Sequence, residues 1–429
     1  MPLSGPGFRR RGAETQRRTI RGISSAPPCR CPTSPFIRLL PATLALALLP
    51  TLAAAADPLA ERGFDHFYNL EYPQAIAAFD EALQLNPSSP DLHNYLAEAI
   101  VFQEMLRGGA LESEMVSGNN PFLRRPRLNA SPEIEKRFFQ AVDTATKLAE
   151  ERLKRNPRDT GALYSLGISY GLRANWNFLV RKAWRDALHD ATTGRKLHNQ
   201  ITVIDPSNVD ARLTEGLHDY IVGSLPLVYR MLGFVVGFHG DKEKGIRTVQ
   251  DVAAHGRLNK VDAEVFLCAL YRRENQPRQA LPLLADLLRR FPRNYLLRFE
   301  ESQMYSWLGD KDRALASIGK VADLKRRAAP GYAAVSWEMI WFQRGTIEFW
   351  YRELDRAAED MRRVIDSPSE VDLNAGGMAR LRLGQIYDLT NRRPAAVEAY
   401  KKAIAFAPQS DAAREARRYL SSPYRRDRG

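Results

Sequence analysis

The feature that most narrows the folds open to this chain is a set of residues held at fixed separations. Ala75, Phe79, Ala82 and Pro87 follow Gly63 at offsets of 12, 16, 19 and 24. Near the other end, Gly384, Tyr387, Ala396, Tyr400, Ala403 and Pro408 stand at 0, 3, 12, 16, 19 and 24. Cys268, Tyr271, Ala280, Leu284, Leu287 and Pro292 repeat the series in the middle of the chain. Ser302, Tyr305, Ala314, Ile318 and Val321 start it again one unit further on. Unrelated amphipathic helices do not keep all of these separations together, so the chain reads as a stack of one supersecondary unit.

Each position has a physical role. The small residue at offset 0 lets helix A of a unit cross helix B closely, the Tyr three residues on fills the space beside it, and Pro stops helix B. This is the spacing of a tetratricopeptide repeat. Weaker members are Leu163, Leu166, Gly167 and Tyr170, then Gly216, then Gly345 with Ala357. Asn86-Pro87, Asn156-Pro157 and Asp205-Pro206 punctuate helix ends. The expected fold is all-α: a right-handed superhelical solenoid of about eight helical hairpins over residues 57–420. A loop insertion at 107–132 interrupts the second hairpin. Pro206 stands at an offset of 39 from Gly167 where the standard is 24, which predicts a lengthened second helix in the third hairpin. Residues 410–420 read as a terminal helix with a polar outer face, as a solenoid end requires, and 421–429 as a basic tail.

Charge has to be apportioned before it is interpreted. The chain carries +13 from 63 basic and 50 acidic side chains. Residues 1–56 hold eight Arg and one Glu, so the remainder is about +6. A basic flank, an apolar run from Phe36 to Ala56 broken by Pro41 and Pro50, and small residues at Ala54 and Ala56 describe a secretory signal peptide cut before Asp57. The two prolines argue against a membrane-spanning anchor. The expected location is therefore the periplasm or envelope. Without the leader, the charge gives no reason to expect nucleic acid as a partner, and Cys268 is the one Cys left.

Residues 215–250 include Glu-Gly-Leu-His-Asp-Tyr, Ser-Leu-Pro-Leu-Val-Tyr-Arg-Met-Leu-Gly-Phe-Val-Val-Gly-Phe and Gly-Asp-Lys-Glu-Lys-Gly-Ile. With Phe266-Leu-Cys-Ala-Leu and Trp307-Leu-Gly-Asp, this resembles the eukaryotic tetratricopeptide-repeat-domain-39 and inclusion-body-clearance family over roughly residues 200–320. The aromatic-rich second half of that family's pattern is only loosely echoed, by Trp337-Glu-Met-Ile-Trp341. The resemblance implies a helical-repeat scaffold linked to lipid homeostasis and clearance of misfolded protein, with no established catalytic centre.

Chemistry-bearing motifs do not accumulate. His189, His198, His218, His239 and His255 share one stretch of the chain, but none is paired at i, i+3 or i+4 and no His-Glu-x-x-His occurs. They are expected to cap or pack, with no metal and no cofactor. Gly233, Gly237 and Gly240 lack phosphate-loop spacing, no Gly-x-Ser-x-Gly is present, and Cys268 reads as a packing residue; an enzyme is not expected. Ile221–Phe238 is apolar apart from Arg230. It reads as a buried helix pair, with a peripheral lipid-contacting hairpin as the second reading. In repeat arrays the concave face is built mainly from helix A. Groove positions at −3, +1, +4 and +5 from the small residue give Phe64, Phe67, Tyr68, Arg272, Arg273, Phe299, Gln303, Trp307, Phe342, Phe349 and Trp350. Aromatic anchors with interspersed Arg suit a protein or peptide partner. The expected function is a non-enzymatic scaffold.

Overall fold

The computed structural model describes residues 58–111, 128–225, 239–367 and 373–426. The leader, most of the 107–132 insertion and all but the start of the apolar run 221–238 lie outside them. The described residues contain seventeen α-helices. They pair in chain order into eight hairpins, followed by one terminal helix. The hairpins are α1 (Pro58–Tyr68) with α2 (Tyr72–Leu85), α3 (Pro90–Arg107) with α4 (Pro132–Arg155), and α5 (Thr160–Trp176) with α6 (Trp184–Ile204). Next come α7 (Leu213–Gly223) with α8 (Lys242–His255), α9 (Lys260–Arg273) with α10 (Pro277–Arg290), and α11 (Tyr295–Trp307) with α12 (Lys311–Arg326). The last are α13 (Trp337–Trp350) with α14 (Leu354–Ile365) and α15 (Leu373–Leu389) with α16 (Arg393–Phe406), closed by α17 (Asp411–Ser421).

The helices start by one of two devices. Side-chain caps open four A helices, where Ser89 accepts from the Leu92 amide, Asp159 from Ala162, Asn294 from Leu297 and Ser336 from Met339, and the terminal helix, where Ser410 accepts from Ala413. Ser131, Asp241 and Asp310 cap the B helices α4, α8 and α12 in the same way. The B helices α2, α10 and α16 instead carry Pro in the first turn, where a missing N–H costs nothing. Between A and B the chain reverses through one residue of positive φ. In five hairpins that residue is Leu70, Asn275, Gly309, Arg352 or Asn391, seven after the small residue; in the stretched third hairpin it is Lys182. The left-handed conformation suits Gly and Asn, while Leu70 and Arg352 hold it against their own preference.

The small residue does what its spacing requires. A methyl group at Gly63 would stand 2.3 Å from the Phe79 ring, and one at Gly384 would stand 2.4 Å from the Tyr400 ring. Helix A thus lies in direct contact with the aromatic at offset 16, and Phe79 and Tyr400 are fully buried. Where offset 0 is Ser302, its hydroxyl donates to the Ala314 carbonyl, at offset 12, over 2.7 Å. Cys268 is buried at the same position in α9, and burial pushes its thiol well above the ordinary range.

The third hairpin keeps this crossing although its spacing is stretched. Gly167 meets Gly194 and His198, at offsets of 27 and 31 where the standard repeat has 12 and 16. The extra length goes into a π-helical turn, Asn177–Arg181, and a 21-residue α6, as the sequence predicts. His198 stands in for the aromatic. It stacks on Tyr164 with centroids 5.1 Å apart, lies 3.3 Å from the Tyr164 carbonyl through Nε2 and 2.7 Å from the Thr214 hydroxyl through Nδ1. Burial lowers its pKa to about 4, so it is a neutral packing residue. In the fourth hairpin Gly216 crosses Gly245. A methyl group on Gly245 would come within 2.5 Å of the Tyr220 nitrogen and 2.6 Å of the Gly216 oxygen. Backbone cannot turn aside as a side chain can. Gly245→Ala should therefore lower stability by about 1–3 kcal/mol, read as a shifted urea midpoint with an unchanged far-UV spectrum; an unshifted midpoint would show that the crossing has room.

Candidate functional site

The solenoid does not stay open along its first half. The reversal after α1 docks, far away in sequence, onto the turn between α10 and α11. Asn69 is buried; its Oδ1 accepts from the Arg293 amide at 2.9 Å while its Nδ2 donates to the Asp65 carbonyl at 2.7 Å. Asn294 Nδ2 donates to the Tyr68 carbonyl at 2.8 Å. The Arg293 guanidinium reaches Glu71 at 2.9 Å and Asp65 at 2.6 Å. Leu70 packs among the core residues around Tyr295 and Ile318, and the Tyr68 ring lies 4.9 Å from that of Phe291. The receiving turn is fixed from behind by Tyr332, whose hydroxyl donates to the Pro292 carbonyl at 2.9 Å.

Inside this closure lie tyrosines and two carboxyl groups. Tyr68 donates to Asp262 at 3.0 Å, and Tyr164 donates to Asn259 at 2.6 Å. Tyr95, on α3, packs against Phe64 at 4.6 Å, and Glu98 lies one turn further along the same helix. Glu98 and Asp262 retain some solvent contact yet sit deep within the ring of helices. Burial is the larger cause that raises the Glu98 carboxyl, with the Asp262 charge adding to it. Burial also raises Asp262, opposed by the hydrogen bond from Tyr68. Both groups therefore hold their protons more tightly in the folded chain than in the unfolded one.

The eleven groove residues expected from the sequence separate by offset. Those at −3 and +4 are buried: Phe299 and Phe342 at −3, and Phe67, Arg272 and Phe349 at +4. They pack into the hairpin cores and present little surface to a partner. Arg272 pairs with buried Glu300 on α11 at 3.0 Å, which makes it a link between hairpins. Phe64 and Gln303, at +1, are half-buried. At +5, Arg273 is exposed, as are Trp307 (43%) and Trp350 (47%), while Tyr68 is covered by the closure. The helical wheel accounts for the order. At about 100° per residue, +4 and −3 stand within roughly 20° of one another, +1 is about 40° further round and +5 about 80°. Of the four rows, +5 is the one that faces out.

Nothing in the sequence pattern singled out Asn69, Glu71, Arg293, Asn294, Glu98 or Asp262, which make and line the closure. Leu232 and the rest of the proposed lipid hairpin past Leu225 lie outside the described residues; α7 ends at Gly223. Among the described residues no helix is long and apolar enough to cross a membrane.

The carboxyl pair makes the closure sensitive to alkali. For an acid whose folded pKa is raised, stability is fully present below the unfolded pKa and is lost as pH rises through the folded one. The chain should therefore lose stability between about pH 5 and about pH 9. Glu98→Gln should flatten that loss and leave the variant the more stable form at the alkaline end. Parallel urea denaturation at the two ends measures it, and an unchanged slope in the variant would remove Glu98 as the cause.

Comparison with known proteins identifies the repeats. Residues 225–364 match the model of the family described as Iml2/Tetratricopeptide repeat protein 39. The match runs past 320 through α13 and α14, the aromatic-rich part that the sequence echoes only loosely. Residues 61–101 and 352–411 match a tetratricopeptide-repeat model. No curated protein matches the chain. Among solved structures, the Cut9–Hcn1 hetero-tetramer of the APC/C is similar at 13% identity and TM-score 0.47, over 87% of this chain and 57% of that one. A human IFIT1 dimer with m7Gppp-AAAA is similar at 14% identity and TM-score 0.44, over 85% and 84%. Yeast Tom70 is similar at 14% identity and TM-score 0.38, over 84% and 94%. The chain carries tetratricopeptide repeats near both ends, and its middle third resembles the Iml2/Tetratricopeptide repeat protein 39 family.

Proposed function

We propose that the chain is a non-enzymatic scaffold of the bacterial envelope that holds a protein or peptide partner along the outward row of its A helices. The observation that carries this reading is Arg273, Trp307 and Trp350, exposed at the same repeat position on α9, α11 and α13. Few aromatic side chains are exposed among the described residues, and Trp307 and Trp350 are two of them, in register with an arginine. Trp and Arg dominate interface energetics because each combines a large apolar area with a polar group. The same position in the first hairpin, Tyr68, is covered by the closure, which directs the partner to the second half of the chain. Replacing Arg273 and Trp307 together by Ala should weaken partner capture roughly tenfold or more with helicity unchanged. Capture that is unaffected would remove the row as the docking face.

The envelope location rests on the leader. The basic flank, the Pro-broken apolar run and the Ala54–Ala56 exit support export with cleavage before Asp57. Mass spectrometry of the protein from envelope fractions should find Asp57 at the amino terminus; a chain that keeps residues 1–56 there would overturn the cleavage.

A further inference from the structure

The segment that follows α17 does not leave the solenoid. It turns back across the C-terminal ends of α15 and α13. The Tyr424 amide donates to Asp388 Oδ2 at 2.7 Å, and its ring lies 5.2 Å from Tyr419 and 6.2 Å from Phe349. Two residues on, the Arg426 guanidinium donates to the Phe349 carbonyl at 3.1 Å and to the Trp350 carbonyl at 2.9 Å. These are the last carbonyls of α13, at the negative end of the helix dipole, and the Phe349 carbonyl also accepts from the Arg352 amide at 3.1 Å. The same guanidinium lies 4.8 Å from the Trp350 ring centroid and 5.1 Å from that of Phe349. Helix-end carbonyls, an aromatic face and a carboxylate one helix away make a receptor for a peptide with an aromatic residue two positions before an arginine.

We propose that Ser422–Arg426 is a built-in occupant of this arginine site, and that a basic peptide of the Tyr-x-Arg kind gains access by displacing it. The proposal deepens the partner-holding reading, since Trp350 belongs to the same outward row. Two observations favour exchange of the segment. Arg382 lies against the same two rings, 4.5 Å from the Phe349 centroid and 5.1 Å from that of Trp350. Its charge and that of Arg426 repel across them. Ser422, Pro423 and Arg425 are also exposed, so the segment is anchored through Tyr424 and Arg426. Its advantage over a free peptide is the tether. A few residues of linker give an effective concentration in the millimolar range, which a free peptide must exceed or a tighter sequence must beat.

The test uses full-length protein and a labelled peptide copying Ser422–Gly429. The double variant Tyr424→Ala/Arg426→Ala, which empties the site, should bind the peptide at least about tenfold more tightly than the unaltered chain. Adding Trp350→Ala to it should abolish the gain. Equal affinity for variant and parent, or no binding to either, overturns the proposal. A second measurement does not depend on the variant folding. Excess peptide added to the unaltered chain should speed hydrogen exchange at the Tyr424 amide, and exchange that stays the same at the highest peptide concentration also overturns it. Failure of the partner-holding reading would appear separately, as unaffected partner capture by the Arg273 and Trp307 variant, with these peptide results unchanged.

Discussion

Everything in this molecule depends on helices A and B crossing at a residue with almost no side chain. At Gly63 and Gly384 the partner ring lies where a β-carbon would be. The aromatic is fully buried because nothing on the facing helix keeps it away. The crossing also sets the reach of the hairpin: once the two helices touch at offsets 0 and 16, the reversal falls at +7, where the backbone takes a positive φ. Chain can be added between crossings without disturbing them. The third hairpin takes in a π-helical turn and a longer α6, and Gly167 still meets His198. A histidine replaces the aromatic there because burial keeps it neutral.

The second level of organisation is not part of the repeat. A solenoid unit normally touches its neighbours alone, so stability is close to a sum of local terms. Here Asn69 and Arg293 join the first hairpin to the boundary of the fifth and sixth. Five hairpins become one closed body, and the buried Asn69 and Asn294 are satisfied by each other's backbone neighbours. Closure also divides the chain's surface. In the first half the A-helix aromatics face one another; in the second half Trp307 and Trp350 face water.

How much of this was legible in the sequence follows from that division. The hairpins, the crossings, the stretched spacing of the third unit and the terminal helix could all be read, because each is a spacing along one segment. The reversal at +7 was legible in part, through Asn275, Gly309 and Asn391; Leu70 and Arg352 hid it. The expected groove residues could be assigned to the A helices, but which of them are exposed could not be read from the offsets. Offsets −3, +1, +4 and +5 share a face in outline, and the angular differences between them decide burial. The closure was not legible at all. Asp65, Glu71 and Arg293 are ordinary surface charges in an Arg-rich chain, and no period links residues so far apart. The seat of Arg426 was hidden for a related reason, since its acceptors are backbone carbonyls and any helix end offers those.

The closure has a further consequence, in the order of events as the chain is made. Synthesis runs from the amino terminus, and the first hairpin cannot find its seat until Arg293 and Asn294 have emerged. Until then Tyr68 and Leu70 pack only against the core of the early hairpins and lack their far partners Phe291 and Tyr295, although α1 and α2 can already cross at Gly63. Such a long-range contact must bear its loop-closure cost before it is rewarded. The early hairpins therefore pass through an interval as a local stack with an open apolar edge, and the sealing of that edge marks the moment when the first five units stop folding separately.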